Sequence, residues 1–280
     1  AEMFARSNVV LNSGVLTFAV TAEDNRDIPA WSQGVFFKWG SLIALASAGN
    51  PYDPEVQAVY YPPHLNPSDW KGGLIGLDKI PYAHSNFNFS MPSGTGEDVD
   101  AFAGYSGNTG FNENVGVGDI CRYISSGPGG KGWVEGEWRL PTNAELELLY
   151  EETGIKTVSM GGFVNMTAEL NRDAGNYLHG NFDPESGWFL GANVTGSMAT
   201  PANRTTPPSG TVFLPSAGQR YPDGNGDVVH VGAYGYYWAS TPYSVNGGYI
   251  ADYLFIYKSG VDFNAADRSY AFPVRCIKDY

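Results

Sequence analysis

The sequence has few charged residues and no long apolar segment, and each shortage excludes a class of protein. Only 16% of its 280 residues are charged and 36 are glycine, a composition that favours a loop-rich, largely β protein over a helical bundle. The formal net charge is −13 and no basic cluster is present, which excludes nucleic-acid binding through phosphates and attraction to anionic membranes. No apolar run approaches the roughly 20 residues that span a bilayer, so we predict no transmembrane segment. The first residues, AEMFARSN, also lack the pattern of a signal peptide.

Cysteine is scarce as well. The two cysteines, Cys121 and Cys276, are too few for a disulfide scaffold or a zinc site. One bridge between them would close a long loop and contribute about 5 kcal/mol in the chain-entropy model. Two buried free thiols fit the residues equally well, and composition leaves both alternatives open.

Metal-binding and catalytic motifs are absent from the sequence. Asp223, Asn225 and Asp227 have the spacing of a calcium loop, but Val228 and Tyr234 stand where that loop needs Gly and Glu. The segment is therefore predicted to be a polar hairpin turn. No nucleophile elbow and no phosphate-binding glycine motif occurs. No metal-ligand spacing is formed by the four histidines, which are His64, His84, His179 and His230. We therefore predict no metal, no cofactor and no catalytic residues.

Local signals predict mostly strands and loops. Residues 9–20 are two apolar runs around Asn12-Ser13-Gly14, which indicates a hairpin. The apolar run 35–46 predicts a buried strand, and 211–221 and 227–232 predict a second hairpin. Two helices are expected, one capped by Asp119 and ending at Gly127, the other beginning with a capping box at Thr142 and Glu145. Irregular stretches at 47–118 and 155–210 are read as long insertions in a single domain, 1–280.

The segment 249–257 (YIADYLFIY) alternates between two kinds of side chain. Ile250, Leu254 and Ile256 lie on one parity, and mostly aromatic residues lie on the other. In a strand these sets point to opposite faces. Aliphatic residues suit a packed core, so we predict that the aromatic row faces outward and serves recognition, since tyrosine combines a large stiff surface with a polar tip. A second buried layer is the alternative.

Several segments, in order along the chain, resemble C-type-lectin-like domains of the sulfatase-modifying type and related surface proteins of gut Gram-negative bacteria. The likeness is clearest at 136–146 (GEWRLPTNAEL), which is similar to the turn into a helix in those domains. It extends to 36–41 (FFKWGS), 212–218 (VFLPSAG), 235–242 (GYYWASTP) and 268–276 (RSYAFPVRC). The resemblance implies an α+β fold of the C-type-lectin-like kind, with mostly antiparallel strands, two short helices and long irregular loops.

Within that family the sequence looks most like the variable proteins of diversity-generating retroelements, whose last strands carry residues rewritten at asparagine codons. Such codons never yield Glu, Gln, Lys, Met or Trp. None of these occurs after Ala239 and before Cys276 except Lys258, which departs from the pattern and must be a fixed or inserted residue. The resemblance implies a ligand-binding face with Trp238 as underlying support. Its residues are predicted to be Tyr243, Ser244, Val245, Asn246, Tyr253, Phe255, Tyr257, Phe263, Ala265, Ala266, Asp267 and Tyr270.

The implied function is non-enzymatic binding of a protein or glycan ligand at a bacterial surface, secreted or lipid-anchored upstream of Ala1. An alternative is a fimbria-associated or tip subunit that uses the same face for docking. A formylglycine-generating activity is less favoured, because the stretch 264–270 lacks the paired cysteines of those enzymes. The sugar-binding calcium motifs of true C-type lectins are also missing. The family position of the two cysteines implies a bridge between Cys121 and Cys276.

Overall fold

The computed structural model describes about half of the residues of the chain. These are residues 3–21, 24, 34–46, 58–65, 80–83, 110–114, 116–127, 132–151, 182–183, 188–189, 214, 217–222, 226, 228–230, 234–243, 250–257 and 260–280. For 148–151, 182–183, 188–189, 257 and 260, only the backbone is described.

Strands dominate the described residues and account for 44% of them. The strands, in chain order, are Val10–Asn12 (β1), Val15–Thr17 (β2), Phe36–Lys38 (β3), Ala44–Leu45 (β4), Ala58–Tyr60 (β5), Phe111–Asn112 (β6), Val117–Gly118 (β7), Trp138–Arg139 (β8), Phe182–Asp183 (β9), Trp188–Phe189 (β10), Gln219–Arg220 (β11), Val228–Val229 (β12), Gly235–Tyr243 (β13), Ile250–Tyr257 (β14), Gly260–Asp267 (β15), Ala271–Pro273 (β16) and Ile277–Lys278 (β17). The two helices of this part of the chain are Ile120–Ser126 (α1) and Asn143–Glu151 (α2).

The prediction of an α+β, C-type-lectin-like fold is wrong. The described residues form mostly antiparallel β-sheet, and their two helices are short. The resemblance rested on short motifs, and such motifs report local turns and caps rather than the order in which strands pair. The prediction of a single domain over 1–280 stays a prediction.

Two sheets hold most of the long-range pairing. The larger has six strands in the order β12-β11-β16-β3-β4-β5, and the smaller has three in the order β13-β14-β15. An isolated parallel bridge between Gly218 and Gly235 connects β11 to the start of β13. The β16 strand, Phe272 included, belongs to the six-stranded sheet, yet its side chains pack against rings of β13 and β14. The two sheets therefore share one apolar layer.

The smaller sheet is covered on its other face by helix α2. Leu146 of α2 is fully buried in a cluster with Tyr237, Leu254 and Ile256. The opposite parity of β14 packs in the largest apolar cluster of the described residues, together with Trp238 and Phe272. Both faces of β14 are thus covered, which explains why its two parities are both apolar.

Most of the local predictions that fall on described residues are confirmed. The hairpin at 9–20 pairs Asn12 with Val15, and Ser13 and Gly14 both have positive φ, as a two-residue type I′ turn requires. The side chain of Asp119 accepts hydrogen bonds at the start of α1, and Gly127 ends that helix. The run 35–46 is split into β3 and β4 at Gly40, whose φ is +70°.

The segment 136–146 is a structural junction. The Thr142 hydroxyl accepts from the Glu145 amide (3.2 Å), and the Glu145 carboxylate accepts from the Thr142 amide (2.8 Å), which confirms the capping box. Arg139 donates to Glu145 (2.8 Å) and to Asp279 (3.0 Å). The Leu140 amide donates to the buried Asp119 carboxylate (2.8 Å). These bonds join β8, both helices and the C-terminal segment.

The N- and C-terminal segments of the described chain are paired. The Ala5 amide donates to the carbonyl of Cys276 and the Val9 amide to that of Val274. Cys276 forms a disulfide with Cys121 of α1, which bridges a separation of 155 residues. Of the two alternatives left open by composition, the structure has the bridge.

Candidate aromatic binding site

Strand register divides the predicted binding face into two. Side chains directly opposite each other on paired strands share a face. Tyr253 is paired with Trp238 and with Asn264, whereas Leu254 is paired with Tyr237 and with Phe263. Tyr253 and Phe263 therefore lie on opposite faces of the three-stranded sheet, and the prediction of one continuous face is wrong.

The aromatic face of this sheet is mainly a buried layer. Tyr253 is only 9% exposed, and Tyr236 (6%) and Phe272 (1%) are buried beside it. The Phe272 ring stacks on Trp238 with centroids 4.1 Å apart and meets Tyr253 edge-on at 5.0 Å. The prediction that the aromatic row faces outward is wrong for Tyr253, because Phe272 of the six-stranded sheet and Tyr236 and Trp238 of β13 pack around its ring. Trp238 lies in the same buried layer, because it is paired with Tyr253 on the neighbouring strand; its role as support for a ligand-binding face stays a prediction.

Half-buried rings border this layer and reach solvent. We call them the aromatic platform, and its members are Tyr221, His230, Tyr234, Phe255 and Tyr270. Neighbouring rings meet mostly edge to face: Tyr221 with Tyr270 at 5.8 Å, and His230 with Tyr234 at 4.9 Å. Phe255 lies 5.3 Å from Tyr234. Because each of these rings packs against another ring, ring packing fixes the orientation of the platform side chains.

His230 is fixed in one orientation by two hydrogen bonds. Its Nδ1 lies 3.0 Å from the Tyr236 hydroxyl and 3.3 Å from Nε2 of Gln219. The Gln219 amide nitrogen can only donate, so Nδ1 is the acceptor and Nε2 carries the hydrogen of the neutral imidazole. His230 also has a positive φ of 63°, an uncommon conformation for a residue other than glycine. Burial lowers the pKa of His230, which favours this neutral form.

The tyrosine hydroxyls of the site influence one another. Burial raises the pKa of Tyr236 above its usual range, and the nearby hydroxyls of Tyr253, Tyr221, Tyr234 and Tyr270 raise it further. Burial also raises the pKa of Tyr253, with a second contribution from Tyr270. These hydroxyls therefore lie close together, and the raised pKa values keep Tyr236 and Tyr253 protonated and neutral near pH 7.

The platform and the layer beneath it contain some of the predicted site residues. Tyr253, Phe255, Ala266 and Tyr270 pack within or against the same cluster. Tyr243, at the end of β13, is 44% exposed and lies outside the platform. Ser244, Val245 and Asn246 lie outside the described residues, as does the side chain of Tyr257.

The remaining predicted residues are placed on the opposite face or in a turn. Phe263 packs against the cluster that contains Leu146 of α2. Ala265 is paired with Asp252 on that face. The Asp267 carboxylate accepts from the amide (2.9 Å) and hydroxyl (2.7 Å) of Ser269. Asp267 thus shapes the turn that leads to Tyr270 and is not a contact residue of the platform.

Sequence reasoning missed Tyr221, His230, Tyr234 and Tyr236. Tyr221 and His230 flank the polar hairpin turn 222–226, and Tyr234 and Tyr236 share a parity with Trp238. The same alternation of side chains occurs in β13, and applying it there would have predicted Tyr236 as a member of the aromatic face. No local signal shows that Tyr221 and His230 lie beside the aromatic layer, because their position depends on how β11 pairs with β16.

The described residues contain neither a metal-binding group nor a membrane-spanning helix. No group of three or more His, Cys, Asp or Glu residues in the described ranges is placed to hold a metal ion. No helix described by the structure is long and apolar enough to cross a membrane.

Comparison of the chain with protein-family models, curated proteins and solved structures gave no match. The resemblance to variable proteins of diversity-generating retroelements therefore stays a prediction.

Proposed function

We propose that the protein is a non-enzymatic ligand-binding protein and that the aromatic platform is its recognition surface. The observation that carries the proposal is the arrangement of four half-buried rings and one imidazole over a layer of buried rings. Tyrosine gives a large contact surface at a low cost in conformational entropy, which is why recognition surfaces favour it. Packing from below fixes the ring orientations before any ligand arrives, and this lowers the cost of binding.

The polar groups of the site support binding through uncharged hydrogen bonds. The described platform offers phenol hydroxyls, which donate and accept, and an imidazole whose Nε2–H donates. The nearest acidic group in the turn before Tyr270 is Asp267, and its carboxylate is engaged by Ser269. The arrangement therefore fits recognition of a neutral surface.

The disulfide is an argument that the protein acts outside the cytoplasm. A bridge such as Cys121–Cys276 persists in oxidising compartments and is rare in the cytosol. We propose accordingly that the protein acts outside the cytoplasm, secreted or at the cell surface of a Gram-negative bacterium.

Paired variants test the proposal. Tyr234→Ala combined with Tyr270→Ala removes two half-buried rings of the platform, and Tyr243→Ala removes an exposed tyrosine outside it. Surface plasmon resonance against immobilised oligosaccharides and unglycosylated extracellular proteins would compare both variants with the wild type. We expect the platform variant to lose at least tenfold in affinity for whichever probes bind, and Tyr243→Ala to bind as the wild type does.

Two results would contradict the proposal. One is that no probe binds the wild type, and the other is that the platform variant binds unchanged. Far-ultraviolet circular dichroism of each variant would show that loss of binding is not loss of fold. If instead the wild type self-associates with increasing concentration and the platform variant does not, the platform serves subunit docking.

A further inference from the structure

We infer that the ligand of the aromatic platform is an uncharged carbohydrate, bound without calcium through tyrosine hydroxyls and the Nε2–H group of His230. This inference rests on the proposed function and names its ligand class. It is carried by the packing of the platform rings, by the hydroxyls that they leave available, and by the lack of charged side chains among the platform residues.

The ring bodies are largely used by internal packing. Tyr236 contacts Phe255 at 5.1 Å and Phe272 at 5.2 Å between ring centroids. Tyr234 lies 6.3 Å from Tyr236 and nearly perpendicular to it, at 82°. Steep angles between neighbouring rings leave no single flat apolar surface of the kind that a hydrophobic peptide segment requires. What the tyrosines present outward is their polar ends.

Two of those polar ends are available for a ligand. Among the described residues, the hydroxyls of Tyr221 and Tyr234 form no hydrogen bond. A hydroxyl that is partly removed from water gains most from a partner that can both donate and accept. Sugar hydroxyls have this property, and a sugar carries several of them on a small ring. A cluster of phenols is therefore complementary to a carbohydrate.

The electrostatics disfavour charged ligands. The platform residues themselves carry no formal charge at neutral pH, since the imidazole of His230 accepts at Nδ1 from Gln219 and Tyr236. The protein as a whole has a net charge of −13, which repels anionic ligands. A phosphorylated, sulfated or sialylated ligand would meet no cation on the platform. A neutral sugar avoids this cost.

His230 adds direction to the site. Because both hydrogen bonds to Nδ1 fix the ring, Nε2–H is a donor of defined orientation on the far edge of the imidazole. Tyr221 and Tyr234 contact the imidazole ring on different sides, with centroids 6.4 Å and 4.9 Å away. We assign His230 the role of a hydrogen-bond donor to a sugar oxygen, with Gln219 and Tyr236 as its positioning residues.

Isothermal titration calorimetry with defined oligosaccharides tests the inference. The probes are neutral hexasaccharides of glucose, mannose, xylose and N-acetylglucosamine, with sialyllactose and oligogalacturonate as acidic comparisons. The wild type should bind at least one neutral probe, equally well in EDTA and in calcium, with little change between 50 and 500 mM salt. Acidic probes should bind at least tenfold more weakly.

Single-atom variants make the test specific. Tyr234→Phe removes one hydroxyl and keeps the ring, and we expect about fivefold weaker binding from the loss of one hydrogen bond. His230→Phe keeps a ring but removes the donor, and should weaken binding at least as much. Tyr243→Phe is the matched control outside the platform and should bind unchanged.

The outcomes separate this inference from the proposed function. If unglycosylated proteins bind through the platform and no neutral sugar does, the carbohydrate inference fails and the proposed function stands. Exclusive binding of acidic sugars, dependence on calcium, or full binding by Tyr234→Phe and His230→Phe would each overturn the inference. Failure of every probe, protein and sugar alike, would overturn both.

Discussion

The hydroxyl of Tyr236 lies 3.0 Å from Nδ1 of His230, and this hydrogen bond connects β13 to the residue that follows β12. His230 thereby becomes part of a ring cluster built mainly by strands distant in sequence. The hydrogen bond that Nδ1 accepts from the Gln219 amide requires a neutral imidazole, because a protonated Nδ1 has no free lone pair and the amide nitrogen can only donate.

A pH dependence of stability follows from that requirement. Burial lowers the pKa of His230 in the folded protein relative to the value of about 6.5 expected in the unfolded chain. The unfolded state then binds more protons below about pH 6.5, so the free energy of unfolding falls as the pH is lowered through this range. The phenols of Tyr221, Tyr234 and Tyr236 surround the imidazole, and burial raises the pKa of Tyr236 further above this pH range.

Urea denaturation between pH 7.5 and 5 would check this dependence, with His230→Gln as the comparison. We expect the wild type to lose more stability over that range than His230→Gln, because the variant has no imidazole to protonate. Equal slopes in the two proteins would mean that His230 is not coupled to folding.

Tyr253 should behave as a core residue. Its ring is packed among Tyr236, Trp238 and Phe272, so Tyr253→Ala should cost about 3–5 kcal/mol of unfolding free energy, as for other buried aromatic residues. Asn264, its exposed partner on β15, is the control, and Asn264→Ala should change stability by less than about 0.5 kcal/mol. Chemical denaturation measures both, and a small effect of Tyr253→Ala would show that its ring is not part of the core.

The disulfide should contribute substantially to stability. Replacing Cys121 and Cys276 together by Ser releases a loop closed over 155 residues, and we expect a loss of about 2–5 kcal/mol. Denaturation of the wild type with and without reductant provides a second measurement. The reduced wild type should match the double variant, and identical curves for the oxidised wild type and the variant would contradict the prediction.

The junction at the start of α2 should be sensitive to single changes. Thr142→Ala removes the cap of the Glu145 amide and should cost about 1 kcal/mol. Glu145→Ala should cost more, because it also removes the hydrogen bonds from the partly buried Arg139. Thermal denaturation of the two variants would rank them, with the exposed Ala144→Ser as a control; the reverse order would indicate that the ion pair with Arg139 adds nothing.

The structural features that can be predicted from the sequence are those set by interactions between residues close together in the chain. The hairpin turn at Ser13-Gly14, the caps at Asp119 and Thr142, and the stop at Gly127 are set by hydrogen bonds and φ preferences within a few residues. Such signals are readable directly, and the structure confirms them. The two parities of β14 were also readable, since alternation is a property of any strand.

Which parity meets solvent was decided only by the tertiary structure. An aromatic row suits a recognition surface or a buried layer, and the choice depends on whether another sheet covers it. Here Phe272 of β16 and its neighbours cover Tyr253, while Tyr221 and His230, brought in by β11 and β12, form part of the exposed rim. The contacts of Tyr253 with Phe272 and of Tyr221 with Tyr270 join residues about 20 and about 50 positions apart. Their free energy depends on strand pairing that no local pattern specifies.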